Sequence, residues 1–150
     1  MTAVVQRVTE ASVTVGPEAV GKIDRGLVAL VGVSKDDTET DVKWMARKLT
    51  ELRIFADLTG EKHFDRDVGA AGGAVLLVSN FTVMGATRQG RRPSFDLAAD
   101  AEKGGQLFNA LVEAVRAAGV SVQTGRFRAD MSVHLINDGP VTLILDSSEG

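Results

Sequence analysis

Apolar and polar positions along the chain follow two periods, one of two residues and one near 3.6. Val4 to Val15 alternates and predicts a strand, with Val5, Ala11, Val13 and Val15 on one face if the strand bends around Thr9–Glu10. Ala19 to Asp24 and Gly26 to Val33 predict two more strands, joined at Asp24–Arg25–Gly26. Leu27 to Val31 and Ala74 to Val78 are continuously apolar. Such runs belong to strands covered on both faces, so the sheet is packed against helices or curled into a barrel. Val120 to Phe127, Met131 to Ile136 and Val141 to Leu145 complete a set of about seven strands. A helical stripe of Val42, Met45, Ala46, Leu49 and Leu52 predicts a helix from about Glu39 to Leu52, with Thr38 as N-cap and Asp41 closing an approximate capping box. A second helix is predicted from Ala101 to Ala118, capped by Asp100, stopped at Gly119 and burdened by Gly104 and Gly105, each costing about 1 kcal/mol against alanine. The polar stretch from Asp57 to Gly73 reads as a loop with a short strand around Lys62–Phe64. The expected class is α+β (mixed α/β): a curved, barrel-like sheet under two main helices.

At 150 residues the chain suits one domain, residues 1–150, burying roughly 70% of its unfolded surface. It has no cysteine, which excludes disulfides, thiol nucleophiles and cysteine-ligated metal centres, and leaves a reducing cytoplasm as the expected location. The alternating N-terminus does not read as a signal peptide, and no apolar run approaches the ~20 residues of a membrane span, so no membrane partner is expected. A formal charge of −3 argues against a general nucleic-acid coat and against a DNA partner, but leaves room for a local basic patch gripping one RNA end. With no tyrosine and one tryptophan, an aromatic platform for single strands is not expected.

The two histidines, His63 in the polar loop and His134 in a strand, have no metal-type spacing, and the carboxylates are scattered. Neither a metal nor a cofactor is expected, and acid–base chemistry by ordinary side chains has little support. Three segments stand out. Ser79-Asn80-Phe81-Thr82 ends a buried strand; alternation places Asn80 and Thr82 on one face, either as a strand end bonding its own backbone or as a polar site for one ligand. Asn137-Asp138-Gly139-Pro140-Val141-Thr142 reads as an Asp-Gly hairpin, except that Pro140 removes a ladder donor at the next strand's start. Arg88, Arg91 and Arg92 around Gly90 form either a solvated turn or a phosphate-binding cluster.

Together with Val5-Gln6-Arg7-Val8, Gly26-Leu27-Val28 and Gly90-Arg91-Arg92-Pro93-Ser94-Phe95, these motifs resemble, in order and over essentially the whole chain, the bacterial D-aminoacyl-tRNA deacylases. The resemblance implies a homodimeric hydrolase that cleaves the ester between a D-amino acid, or glycine, and the 3′-terminal adenosine of tRNA. It implies a reaction site at Ser79, Asn80, Phe81 and Thr82, with the Phe81 and Thr82 N–H groups able to serve an oxyanion. It implies a cis Gly139–Pro140 bond that reaches into the partner's site to reject L-amino acids, held in place by Arg7. Phe127 and Met131 match positions around the adenosine, and Asn137 and Arg91 are grouped with the substrate-binding residues. Catalysis in the family is substrate-assisted by the ribose 2′-hydroxyl, so Thr82 is assigned to positioning. Two departures are visible: Asn80 where the family usually has glutamine, and Arg128 where it usually has glycine. The alternatives are a paralogous tRNA deacylase with relaxed chirality, or a non-catalytic dimer that binds adenosine or an RNA end.

Overall fold

A computed structural model describes residues Met1–Gly150. Six strands and two helices follow the order β1 (Thr2–Val15), β2 (Glu18–Ile23), β3 (Gly26–Gly32), α1 (Glu39–Glu51), β4 (Ala74–Ser79), α2 (Ala101–Ala117), β5 (Ser121–Thr124) and β6 (Ser132–Asp146). A 3-10 turn, Phe81–Met84, follows β4, and another, Ser147–Glu149, follows β6. No helix is long and apolar enough to cross a membrane.

The sheet runs β2-β1-β3-β4-β5, and β6 pairs along the other edge of β1. β1 is antiparallel to β2, β3 and β6, whereas β3, β4 and β5 are parallel. Each parallel step needs a long crossover, and α1 and α2 supply them. The sheet curls until β2 nears β5, where a Cβ on Gly21 would collide with the Thr124 carbonyl oxygen, so the barrel is nearly closed.

Curling creates two cores. Helices α1 and α2 cover one face, burying Ala3, Val5, Leu27, Ala29, Val31, Val75 and Leu77 with Met45, Leu49, Phe108 and Leu111. The barrel interior takes the other face, with Val8, Ala11, Val13, Ile23, Val28, Leu76 and Val78. The continuous apolar runs of β3 and β4 thus serve both cores, as double coverage requires. Truncating a fully buried residue such as Leu76 or Leu77 to alanine should cost about 2–5 kcal/mol.

Both helix caps form as the sequence predicts. Thr38 and Asp41 make a reciprocal capping box, and the Asp100 carboxylate accepts the Lys103 N–H. Four expectations are corrected. Val5 does not share a face with Ala11 and Val13, because the β1–β6 register slips near Thr9 and reverses the parity, sending Val5 to the helical core and the others into the barrel. The Lys62–Phe64 strand does not form; a single bridge, Phe55 to Arg66, closes that loop instead. β5 ends at Thr124, short of Phe127. The two C-terminal strands are one, β6, and Asn137–Thr142 is no hairpin. Gln6 pairs with Thr142 and Val8 with Asn137, so Asp138–Val141 bulges out opposite Arg7 alone.

Candidate active site

At Ser79 the chain leaves β4 beside a cavity of about 600 Å³. Asn80 continues extended, donating its N–H to the Val31 carbonyl at 2.8 Å and so tying the turn to β3. Its Oδ1 accepts from the Thr82 N–H at 3.1 Å and from the Thr82 hydroxyl. This cap converts strand into 3-10 turn. Strand alternation therefore stops at Ser79, and Asn80 meets Thr82 through hydrogen bonds rather than a shared sheet face. The Thr82 N–H is consequently occupied. The Phe81 N–H heads the turn, where no earlier carbonyl of the turn can accept it, and no other acceptor in the chain takes it. The Phe81 ring is exposed and meets Phe95 edge-on, with centroids 5.1 Å apart.

At the other end of the cavity the Phe127 ring stacks on Phe108, centroids 6.5 Å apart at 28°. Glycines make this slot. A Cβ at Gly105 would lie 3.2 Å from the Phe127 ring, and one at Gly125 only 2.5 Å from the Met131 sulfur. Gly105 is thus accounted for by the ring packed against it, whereas a Cβ at Gly104 would meet that ring only at ordinary contact, 3.8 Å. Val31, Val33 and Val78 supply further apolar lining.

The lining includes neither histidine nor lysine, and Asp100 is engaged as the α2 cap. Asp130 and Arg128 also line the cavity without pairing with each other. Arg128 holds φ at 61°, the one non-glycine residue in the left-handed region, a conformation that costs an L-residue about 1–2 kcal/mol. His134 stands on the outer surface 3.7 Å from Glu10, and His63 is exposed in its loop. No group of three His, Asp or Glu side chains gathers as a metal site would need. Three carboxyls sit below their ordinary range, and none lines the cavity. Partial burial opposes ionisation at Asp41, yet hydrogen bonds from Ser147 and Thr38 outweigh it. Asp146 behaves likewise through Ser148 and Thr2, and Asp57 through Thr59 and neighbouring N–H groups.

Ser79, Asn80, Phe81, Thr82, Phe127 and Met131, separated in sequence, come together on this cavity. Arg7, Arg91, Asn137, Gly139 and Pro140 do not line it. Four of those five form the bulge assembly. Arg7 Nε donates to the Asp138 carbonyl at 3.0 Å and lies 3.1 Å from the Asp138 carboxylate, while its Nη1 donates to the Ile54 carbonyl at 2.5 Å. Asn137 Nδ2 donates to the carbonyls of Arg7 and Val141, both at 3.0 Å. The Gly139–Pro140 bond is cis, and both residues are exposed. Arg91 sits with Arg88 and Arg92 on an exposed loop, and none of the three forms an ion pair. Sequence reading missed Phe108 and the start of α2 as cavity walls; Gly104-Gly105 inside a helix was the available signal.

The sequence profile of the family described as D-Tyr-tRNA(Tyr) deacylase matches residues 4–146. A D-aminoacyl-tRNA deacylase of Thermotoga petrophila is 53% identical over 150 residues, covering 99% of each chain. A solved structure titled c-Myc DNA Unwinding Element Binding Protein superposes with a TM-score of 0.91 at 41% identity, over 97% of this chain and 98% of that one. A second, titled as a probable eukaryotic D-amino acid tRNA deacylase, has a TM-score of 0.80 at 18% identity, over 97% and 99%, and shows the shared fold.

Proposed function

The chain belongs to the D-Tyr-tRNA(Tyr) deacylase family and is a hydrolase of the D-aminoacyl-tRNA deacylase kind, and from that premise we propose how its cavity works. Water adds across the ester that joins a D-amino acid, or glycine, to the 3′-terminal adenosine, releasing the free amino acid and tRNA. One observation carries the reading: an open backbone donor at Phe81 shares a cavity with a slot formed by Phe127 and Met131. The adenine packs in the slot, where an aromatic face and a soft thioether suit a base. The ester carbonyl then points at the Phe81 N–H, which stabilises the oxyanion as negative charge develops. The resemblance implies that the ribose 2′-hydroxyl of the substrate takes the part of an activating group, and a lining without histidine or lysine suits that reading. Thr82 donates its hydroxyl hydrogen to Asn80, so its oxygen is left as an acceptor that positions the substrate.

Chiral selection is assigned to the bulge. Gly139 and Pro140 stand exposed and do not line their own chain's cavity, which suits an element offered to a second copy. Arg7 and Asn137 hold it in one place. β6 has a free edge, and Ile136 and Ile144 on it are 49% and 75% exposed, apolar surface of the kind that dimers cover. In the homodimer the inserted backbone fills the space beside the α-carbon, so an L side chain clashes while a D side chain or hydrogen fits. Arg91, with Arg88 and Arg92, meets tRNA phosphates. An aminoacyl-tRNA substrate is what supports a cytoplasmic location.

Hydrolysis of D-tyrosyl-, glycyl- and L-alanyl-tRNA measured side by side tests this. The first two should be cleaved and the third spared. Equal cleavage of L-alanyl-tRNA would overturn the chiral assignment, and binding without cleavage of any would overturn the catalytic one.

A further inference from the structure

We propose that Arg128 binds the phosphodiester that joins the substrate's terminal adenosine to the preceding nucleotide. The inference rests on the deacylase reading and extends it to the group that fixes the substrate's 5′ side.

Three observations converge. First, Arg128 occupies φ +61°, whereas every other residue with positive φ, namely Gly16, Gly60, Gly72, Gly90 and Gly119, is glycine. Asparagine or aspartate can offset this conformation by bonding the nearby backbone; arginine has no such local reward, and Arg128 makes no hydrogen bond within the chain. The positive φ belongs to a turn closed by the Ala129 N–H on the Arg126 carbonyl at 3.2 Å, with Arg128 at its third position, and that turn presents the side chain at the cavity. Second, the guanidinium is exposed and unpaired although Asp130, two residues on, lines the same cavity. Third, Arg128 is the single cation on a lining whose other charged groups are Asp100 and Asp130. An anion entering this cavity meets two carboxylates and one guanidinium, so its placement is decided by Arg128. Arg128 directly follows Phe127, the ring assigned to the base, and a nucleotide's 5′-phosphate lies within an arginine side chain's reach of its own base. The planar fork offers two parallel N–H donors to phosphate oxygens, which a lysine would not reproduce.

The test compares wild type with Arg128→Gln and Arg128→Gly on two short substrates, the D-tyrosyl ester of adenosine and that of adenosine 5′-monophosphate, and on D-tyrosyl-tRNA. Glycine adopts the local backbone freely, so the second variant keeps the fold if glutamine does not. The ratio of kcat/KM for the phosphorylated over the unphosphorylated ester should fall about tenfold or more in both variants, the range expected of one charge-assisted contact. For tRNA binding, the slope of log K against log salt should shrink by about 0.7, one single-strand phosphate. Arg128→Lys should recover part of the salt slope and less of the ratio. An unchanged ratio with an unchanged slope overturns the assignment, and so does tighter binding of the adenosine ester to the glycine variant, which would make Arg128 a plug. Wild type inert toward all three substrates would instead overturn the deacylase reading itself.

Discussion

The chain breaks out of regular strand at two places that matter to the site, Asn80–Met84 and Asp138–Val141, and the two are secured in opposite ways. The first is held mainly from within, by Asn80 Oδ1 on the N–H and hydroxyl two residues ahead, with the Asn80 N–H tying it to the Val31 carbonyl of β3. The second is held from elsewhere, by Arg7 on β1 reaching its carbonyl and carboxylate, and by Asn137 clasping β1 and the far side of the bulge. A locally capped turn can be retuned by one side chain and leaves the surrounding sheet intact. A bulge held by a neighbouring strand depends on strand register, so its failure spreads into β1 and β6.

The sharpest break in this comparison is Phe81→Pro. Proline at the first position of a helical turn is tolerated, and Asn80 is already extended as a residue before proline must be, so the cap should survive. Single-turnover hydrolysis should nevertheless slow about 10²–10³-fold through loss of one oxyanion donor. A rate within threefold of wild type, in a variant that unfolds at the wild-type urea midpoint, would show that the donor is unused.

Arg7→Ala should act on the other segment and mainly on stability. The side chain is only 14% exposed, and its removal strands two carbonyls and a carboxylate, for about 2–3 kcal/mol in urea unfolding. Amide exchange should accelerate at Gly139 and Val141 while Thr82 stays protected, and rejection of L-aminoacyl-tRNA should weaken.

Asn80→Ala should cost only about 1 kcal/mol, the worth of a lost cap, with exchange rising at Thr82 and not in the bulge. Thr82→Ala removes one hydroxyl hydrogen bond of about 1 kcal/mol, so deacylation should fall less than tenfold. A dead but folded Thr82→Ala would return the hydroxyl to the chemistry.

The smallest effect arises outside both segments. Asp41 and Asp146 have folded-state values lowered from 3.8, so their contribution is complete above that pH and is lost as pH falls below it. Ser147→Ala should flatten the acid limb of the stability curve, because it removes a donor to the Asp41 carboxylate. Urea midpoints between pH 5 and pH 2 measure this, and both segments should melt together there.

Much of the architecture was legible along the chain because it depends on neighbours in sequence. Caps bond three residues ahead, so Thr38, Asp41 and Asp100 could be read directly. Continuous apolar runs announce coverage on both faces, and β3 and β4 have it. Ser79–Thr82 was visible as a polar interruption, though its 3-10 geometry was not, because alternation continues on paper past the point where Asn80 turns the chain.

Register and convergence belonged to the tertiary structure. Whether Asn137–Thr142 turns back or runs on is decided by β1, which pairs with residues on both sides of the bulge and so holds one strand where local signals favour a hairpin. The slip near Thr9, which sends Val5 and Val13 into different cores, likewise exists only in the pairing. The cavity draws Phe81, Phe108 and Phe127 from three segments that touch only after the sheet has curled. The sequence by itself determined which segments are helix, which strands are covered twice and where polar residues interrupt them, since those follow from side-chain period and local hydrogen bonds. Only the tertiary structure decided which interruptions share a cavity, because that depends on how strands pair across distances no local pattern records.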